Sequence, residues 1–293
     1  MTLERTSCCK VNFLLNCLGK RADGFHELET VMHPVSVHDF LRFTRQGNGI
    51  QLTCSHPALP ADATNLVHRA AAAFLESAKI KDGVRIHLEK RIPLAAGLGG
   101  GSGNAAATLQ GLNDLFGRPL GDNQLGDIGA SLGSDVPFFL QAKPALATGR
   151  GERIESLEFF PALRGHVLLL VHPGFGVSTA WVYQALGRFP AALHGQPGRA
   201  RRLISLLRTA DPFTAAGAFY NSLEAPVLAK YPVLALYQEF LRAHGALAAL
   251  MSGSGSTTFA LVDGKTKAEA MLERFKSRFG EAGWTAVVPL AAA

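Results

Sequence analysis

The chain has 293 residues, a formal net charge of +6 and 47% hydrophobic residues. That length favours two lobes around a cleft over one large domain, with enough apolar residues for a sizeable core. No apolar run reaches the roughly 18 residues of a membrane span, and the one dense basic cluster, at 199–208, lacks interleaved aromatic residues, which disfavours nucleic-acid binding.

The first predicted element is a buried strand at 8–18, which carries a lysine among apolar residues. Lys10, in the segment Lys10-Val-Asn12, must either reach water at a strand edge or meet a carboxylate and a phosphate.

No apolar leader follows Met1, so we expect no secretory signal. The chain has four cysteines, Cys8, Cys9, Cys17 and Cys54, and their spacing is not that of metal ligands. We therefore expect reduced thiols and a cytoplasmic protein.

Alternating apolar residues predict more β structure at 27–43 and a strand at 84–92. Between them, an amphipathic pattern predicts a helix at 65–75, with Asn65 as its N-cap.

A glycine-rich loop follows the strand, from Pro93 to Asn104, and leads into a predicted helix at 104–116. Glycines let successive backbone N–H groups turn into an anion-binding concavity, and the helix N-terminus adds positive charge. The loop lacks the lysine of the Walker motif and fails the dinucleotide pattern. A flexible linker is the alternative, but the flanking strand and helix favour a cradle for the phosphates of a nucleoside triphosphate.

A helix is predicted at 122–132, ending at Gly133, and Asp135 then lies at a helix-to-strand junction. This aspartate either caps a local turn or, held stiffly by Gly133 and Pro137, orients a hydroxyl for phosphoryl transfer. The residues alone leave both interpretations open.

A second α+β unit is predicted to begin near Arg164. Its loop Met251–Phe259, rich in glycine and serine, forms either a simple hairpin turn or a second nest facing the first across a cleft. The other elements predicted after Gly133 are strands at 145–149, 154–158, 167–171, 247–251, 257–262 and 284–289, and helices at 178–187, 200–209, 227–243 and 265–279.

With these residues in view, the chain resembles the galactokinase, homoserine kinase, mevalonate kinase and phosphomevalonate kinase (GHMP) superfamily over nearly its whole length. Within it, the chain is most similar to the 4-diphosphocytidyl-2-C-methyl-D-erythritol kinase family. The segments that carry the resemblance are Lys10-Val-Asn12, Arg21-Ala-Asp-Gly-Phe-His26, Asn65-Leu-Val67, Gly97-Leu-Gly-Gly-Gly-Ser102, Gly133-Ser-Asp-Val-Pro-Phe-Phe139, His172-Pro-Gly174 and Met251-Ser-Gly-Ser-Gly-Ser256.

The resemblance implies a two-lobed α+β fold: an ATP-binding lobe at 1–160, similar to the second domain of a ribosomal protein, and a ferredoxin-like lobe at 161–293. It implies that Lys10 and Asp135 are the catalytic pair. It places the cytidylyl substrate against Asn12, Phe25, His26 and Tyr183. The implied ATP segment is Pro93, Leu94, Ala95, Ala96, Gly97, Leu98, Gly99, Gly100, Gly101, Ser102 and Gly103.

The implied activity is transfer of a phosphoryl group from ATP to a hydroxyl of a cytidine diphosphate conjugate, in non-mevalonate isoprenoid precursor biosynthesis. Mg²⁺ is expected, with the Ser102 hydroxyl as its candidate ligand. We expect a monomer or homodimer with a small-molecule partner, and neither nucleic-acid nor membrane partners. Three other functions remain open: another GHMP kinase acting on homoserine, a mevalonate or a sugar; a nucleotide-binding paralogue without activity; and an RNA-binding protein.

The chain departs from the family's pattern at four places, one of which, Cys8-Cys9, is expected to alter packing only. Phe25 stands where tyrosine is typical, and Gly103 replaces a serine, which removes one possible phosphate or metal contact. Cys8-Cys9 replace small residues or proline before the lysine, and Ser222 replaces aspartate in the Asn221-Ser-Leu-Glu224 segment. None of these changes touches Lys10 or Asp135.

Overall fold

The computed structural model describes residues 2–141, 143–209, 211–281 and 283–290. Its strands are β1 (Thr2–Lys20), β2 (His26–Gln46), β3 (Ile50–Cys54), β4 (Gly83–Glu89), β5 (Ala145–Gly149), β6 (Arg153–Ser156), β7 (His166–His172), β8 (Tyr220–Asn221), β9 (Ala248–Met251), β10 (Thr258–Asp263) and β11 (Trp284–Pro289). Its helices are α1 (Leu66–Ser77), α2 (Gly100–Leu115), α3 (Asp122–Leu132), α4 (Val136–Gln141), α5 (Thr179–Leu186), α6 (Pro190–Leu193), α7 (Arg199–Thr209), α8 (Pro212–Ala216), α9 (Glu224–Lys230), α10 (Pro232–Ala243) and α11 (Lys265–Phe279).

The chain divides into two compact units that alternate along the sequence. The first unit comprises the described residues of Met1–Cys9, Val37–Ile92 and Gly99–Ala142. The second comprises those of Lys10–Ser36, Pro93–Leu98 and Lys143–Ala293. The long strands β1 and β2 and the glycine-rich loop therefore each contribute residues to both units. The division predicted near residue 160 stays a prediction.

In the first unit, β4 lies between β3 and the second half of β2, parallel to β3 and antiparallel to β2. Helix α2 contacts α1, α3 and α4. Asn65 caps α1 as predicted, because its side-chain oxygen accepts a hydrogen bond of 2.9 Å from the N–H of Val67.

The second unit contains a four-stranded antiparallel sheet in the order β11-β7-β10-β9. Along the chain, β7, α10, β9, β10, α11 and β11 form a βαββαβ arrangement, which confirms the ferredoxin-like topology. Helices α10 and α11 contact this sheet, and their apolar residues, such as Leu241 and Phe275, are buried in its core. The likeness of the first lobe to a ribosomal-protein domain stays a prediction.

Three predicted elements are wrong in ways that the backbone explains. The helix predicted at 227–243 is two helices, α9 and α10, because Pro232 disfavours helical backbone at Tyr231. Asp135 precedes a short helix, α4, rather than a strand, since Val136-Pro-Phe-Phe139 continues into helical turns with the proline in its tolerated first turn. Helix α2 begins at Gly100 rather than at residue 104, so three of the loop's glycines belong to its first two turns.

Candidate active site

Lys10 lies in the part of β1 that belongs to the second unit, and it is only 3% exposed. Its ammonium donates hydrogen bonds to Oδ1 of Asn12 at 2.6 Å and to the carbonyl oxygen of Gly97 at 2.8 Å. Asn12 in turn donates to the hydroxyl of Thr30 at 2.8 Å. A water-exposed lysine at a strand edge is therefore excluded. Since a buried ammonium needs such partners, the neighbouring residues fix the position of this charge.

The first half of the glycine-rich loop contacts the loop between β9 and β10. The hydroxyl of Ser252 donates to the carbonyl oxygen of Gly97 at 3.0 Å, and the N–H of Thr257 donates to that of Ala96 at 3.1 Å. Gly97 has a φ of +77°, and a methyl group there would lie 2.0 Å from the carbonyl oxygen of Ser252. The second loop does connect two strands, but it touches residues 96–97 directly instead of facing them across a cleft.

The second half of the loop starts helix α2 in the first unit. Gly99, with a φ of +69°, is its N-cap and offers no side chain to accept from the first amides. The first N–H groups of a helix lack partners within the helix, and they carry the positive end of its dipole. Gly101 is exposed and Ser102 is half-buried, so this turn fits an anion at the helix N-terminus.

Gly103 lies elsewhere, against β1. A methyl group there would be 2.7 Å from the carbonyl oxygen of Cys8 and 2.8 Å from the hydroxyl of Ser7. The glycine at this position therefore permits a close approach between helix and strand. This packing gives a structural reason for one of the four departures from the family's pattern.

A buried carboxylate that the sequence analysis missed organises the segment around the second half of the loop. Asp39, which is 0% exposed, accepts from the ammonium of Lys90 at 2.5 Å and from the side-chain amide of Asn104 at 2.9 Å. Its other oxygen accepts from the N–H groups of Arg91 and Ile92 at 2.7 and 2.8 Å. Burial lowers the pKa of Lys90, while Asp39 opposes that shift.

The sequence carried a signal for Asp39. In β2 the alternate residues Val35, Leu41 and Phe43 are buried, and Asp39 stands on the same face of the strand. An aspartate on the apolar face of a strand needs several donors, since an unpaired buried charge costs several kcal/mol, on the order of 3–5. Here those donors come from the residues just before the glycine-rich loop and from α2.

Asp135 lies between α3 and α4 and is half-buried. The turn that holds it is closed by the N–H of Val136, which donates to the carbonyl oxygen of Gly133 at 3.1 Å. The roles of helix cap and of hydroxyl-orienting carboxylate both remain compatible with this position.

The residues that the resemblance assigns to the cytidylyl substrate lie in the second unit, and two of their rings meet. The rings of His26 and Tyr183 stack, with centroids 5.0 Å apart and planes inclined by 29°. Burial, and to a smaller extent the charge of Lys20, lowers the pKa of His26, which favours a neutral ring for stacking. Phe25 is 52% exposed, and the guanidinium of Arg150 lies 4.8 Å from the centroid of its ring.

Three further observations concern membrane spans, metal ligands and disulfides. None of the described helices combines the length and apolarity needed to cross a bilayer. Across the described ranges, no three His, Cys, Asp or Glu side chains are grouped as metal ligands. Cys8, Cys9, Cys17 and Cys54 form no disulfide with one another.

Comparison with known proteins places these residues in a family. Residues 65–143 match the model of the GHMP kinases N-terminal domain, and residues 190–281 match that of the GHMP kinases C-terminal domain. A protein of Synechococcus sp. (strain JA-3-3Ab) named 4-diphosphocytidyl-2-C-methyl-D-erythritol kinase is 42% identical over 86% of this chain and 82% of its own length. A protein of the same name from Syntrophotalea carbinolica is 39% identical over 94% of each chain.

A solved structure is similar as well. The crystal structure of a 4-(cytidine 5′-diphospho)-2C-methyl-D-erythritol kinase has a TM-score of 0.77 and 34% identity, and the match covers 98% of this chain and 99% of that one.

Proposed function

Because this chain belongs to the GHMP kinase family, we propose that it transfers the γ-phosphoryl group of ATP to a hydroxyl of 4-diphosphocytidyl-2-C-methyl-D-erythritol. The product would be the 2-phosphate, an intermediate of non-mevalonate isoprenoid precursor biosynthesis. The observation that carries the choice of acceptor is the extended similarity, 39% identity over 94% of both chains, to a relative that bears this name.

The geometry supports this choice within the second unit. A stacked pair, His26 and Tyr183, offers an aromatic surface for a base, and aromatic stacking contributes about 1–3 kcal/mol per base. Lys10 and Asn12 form a buried polar pair on β1, where a cation could offset the charge of a transferring phosphoryl group. The exposed ring of Phe25 supplies a second apolar surface without the hydroxyl of tyrosine.

The nucleotide is proposed to bind along residues 93–103. Its phosphates would meet the first-turn amides of α2, where Gly101 leaves the backbone exposed. GHMP kinases use ATP as phosphoryl donor, and we propose that Mg²⁺ accompanies it, with Ser102 as a protein ligand. The ion would neutralise charge on the phosphates.

Asp135 is proposed to accept or orient the proton of the acceptor hydroxyl. Phosphoryl transfer passes through a loose transition state, so positioning and electrostatic stabilisation are expected to contribute more than proton abstraction. Lys10 is proposed to stabilise the charge on the transferring group. We propose that these residues act as the catalytic pair.

The test is incubation of purified protein with ATP, Mg²⁺ and the cytidylyl substrate, followed by phosphorus NMR. A new phosphomonoester resonance, dependent on the acceptor, is expected. Homoserine, mevalonate and galactose are offered in parallel reactions. Turnover of one of these in place of the cytidylyl substrate would reassign the acceptor, and ATP binding without consumption of any acceptor would indicate a protein without kinase activity.

A further inference from the structure

A short polar segment, Asn221–Glu224, holds the loop between β9 and β10 in place. The side-chain amide of Asn221 donates to the carbonyl oxygens of Met251 and Gly253, each at 2.8 Å. Its side-chain oxygen accepts from the N–H of Leu223 at 2.9 Å. Asn221 is 3% exposed, so both donors and the acceptor are fully committed away from water.

The next residues tie the same segment to β1 and to the start of the loop. The hydroxyl of Ser222 accepts from the N–H of Cys17 at 2.9 Å, and its own N–H donates to the carbonyl oxygen of Leu15 at 2.8 Å. Glu224 accepts from the N–H of Met251 at 2.7 Å. Ser222, which replaces the family's aspartate, thus bonds to β1 through its hydroxyl and its N–H. Met251 is held through both its N–H and its carbonyl oxygen.

The loop residue held by Asn221 lies against Lys10. A methyl group on Gly253 would be 3.0 Å from the ammonium of Lys10, 2.9 Å from the carbonyl oxygen of Gly97 and 3.3 Å from Oδ1 of Asn12. The carbonyl oxygen of Gly97 and Oδ1 of Asn12 are the two oxygens to which the ammonium of Lys10 donates. A rotation of the Gly253 peptide would therefore change the space in which that charge is confined.

From these contacts we infer that Asn221 is a positioning residue for phosphoryl transfer, which acts through Gly253 on the ammonium of Lys10. The inference rests on the proposed function in one respect, namely that Lys10 acts on the transferring group. An interaction that matters in the transition state lowers kcat when it is lost, whereas a uniform binding contact raises KM.

The test compares Asn221→Asp with a matched control, Asn113→Asp. Asn113 is also buried, and its side chain also bonds to both a carbonyl and an N–H, those of Leu120, at 2.9 and 3.1 Å. Both changes remove a buried amide donor and place a carboxylate beside a carbonyl oxygen. The two substitutions should lower the thermal unfolding midpoint by similar amounts, but only Asn221 contacts the loop between β9 and β10.

We expect Asn221→Asp to lower kcat about tenfold or more, with KM for ATP and for the acceptor within about twofold of the wild type. Asn113→Asp should keep the wild-type kcat per folded molecule. Hydrogen exchange of the amides at 252–257 should be faster in Asn221→Asp than in Asn113→Asp. Should Asn221→Asp fail to fold, Asn221→Ser removes the same amide without adding a charge and takes its place.

Wild-type kcat in the folded Asn221 variant, or an equal loss of kcat in Asn113→Asp, would overturn the inference. If the wild-type protein phosphorylates no acceptor, the proposed function fails separately. In that case hydrogen exchange decides the inference alone, because unchanged exchange at 252–257 in the Asn221 variant would show that its amide does not position the loop.

Discussion

The two units hold their shares of the glycine-rich loop by different means. In the first unit, the carboxylate of Asp39 accepts from two backbone N–H groups and from Lys90 beside the start of α2. In the second, a neutral amide, Asn221, donates to two carbonyl oxygens of the loop that touches Gly97. The polarity of each side chain matches the backbone groups that need partners: N–H groups meet an acceptor, and carbonyl groups meet a donor.

This difference has an energetic consequence. Removing one partner of a buried ion pair lowers the free energy of unfolding much more than removing one partner of a neutral hydrogen bond, because the remaining partner is an uncompensated charge. Loss of the Asp39 carboxylate should therefore destabilise the fold more than loss of the Asn221 amide.

The largest effect is expected for Asp135→Asn in the first unit. If this carboxylate orients the acceptor hydroxyl, kcat should fall by about two to four decades, with little change in the KM for ATP. Steady-state kinetics would measure both constants. Asp127→Asn, which changes an exposed carboxylate on α3, is the control and should keep full activity. Turnover near that of the wild type in Asp135→Asn would remove Asp135 from the chemistry.

Asp39→Asn should be the most destabilising of the conservative changes, by about 3–5 kcal/mol, since it leaves the buried ammonium of Lys90 without its counter-charge. Urea unfolding at neutral pH measures the loss. Asp263→Asn removes an exposed ion pair with Lys267 and should cost far less stability, because water screens this pair. Equal costs for the two variants would contradict the contrast between buried and exposed pairs.

The second unit should lose stability in acid through His33. Burial lowers the pKa of this histidine to about 4, and its ring lies among those of Phe13, Phe159 and Phe160. The unfolded chain binds a proton more readily, so this stabilisation is complete above the usual pKa and is lost as the pH falls toward 4. It amounts to about 3 kcal/mol. His33→Phe should flatten the dependence of unfolding free energy on pH in this window, and an unchanged slope would disprove the assignment.

Gly97→Ala and Gly101→Ala compare the two halves of the loop directly. Gly97 has a positive φ and no space for a methyl group, so alanine should cost about 1–3 kcal/mol and shift the second loop. At Gly101 the nearest atom is Cδ1 of Leu66 at 3.5 Å, so alanine should be neutral or stabilise the helix by up to about 1 kcal/mol. Thermal unfolding of both variants would decide, and equal destabilisation would show that the two glycines serve the same purpose.

The smallest effect is expected at the proposed cytidine pocket. His26→Ala removes the ring that stacks on Tyr183 and should raise the KM for the cytidylyl substrate about tenfold while sparing that for ATP. Initial rates with each substrate varied in turn measure both constants. Equal increases in both constants would make His26 structural.

Sequence patterns predicted most of the elements because those patterns are local. Asn65 marks the start of α1 and Gly133 the end of α3, and the alternation of β4 shows in its own residues. Two of the three wrong predictions involve a proline. Pro232 divides a long helical segment into two helices, and Pro137 lies in the first turn of a short helix where the pattern predicts a strand.

In the candidate site, too, the sequence pattern indicated some of the residues but not the contacts that they make. Lys10, Asn12 and the two glycine-rich loops were found from sequence because their residue types are unusual for a strand or for a connection. The partners of Lys10 were not found, since its contact with Gly97 joins residues 87 positions apart. Asp39 was missed, although the apolar face of β2 marked it, because its partners Lys90 and Asn104 lie 51 and 65 positions away along the chain.

By itself, the sequence determined most of the longer strands and helices, the glycine segments and the family resemblance, all of which depend on neighbouring residues. Only the tertiary structure decided what each glycine is for: close approach to Ser252 at Gly97, and space beside Ser7 and Cys8 at Gly103. The physical reason is that a glycine has no side chain, so the sequence does not show which neighbouring group its small size accommodates. What fills that room comes from residues far away along the chain.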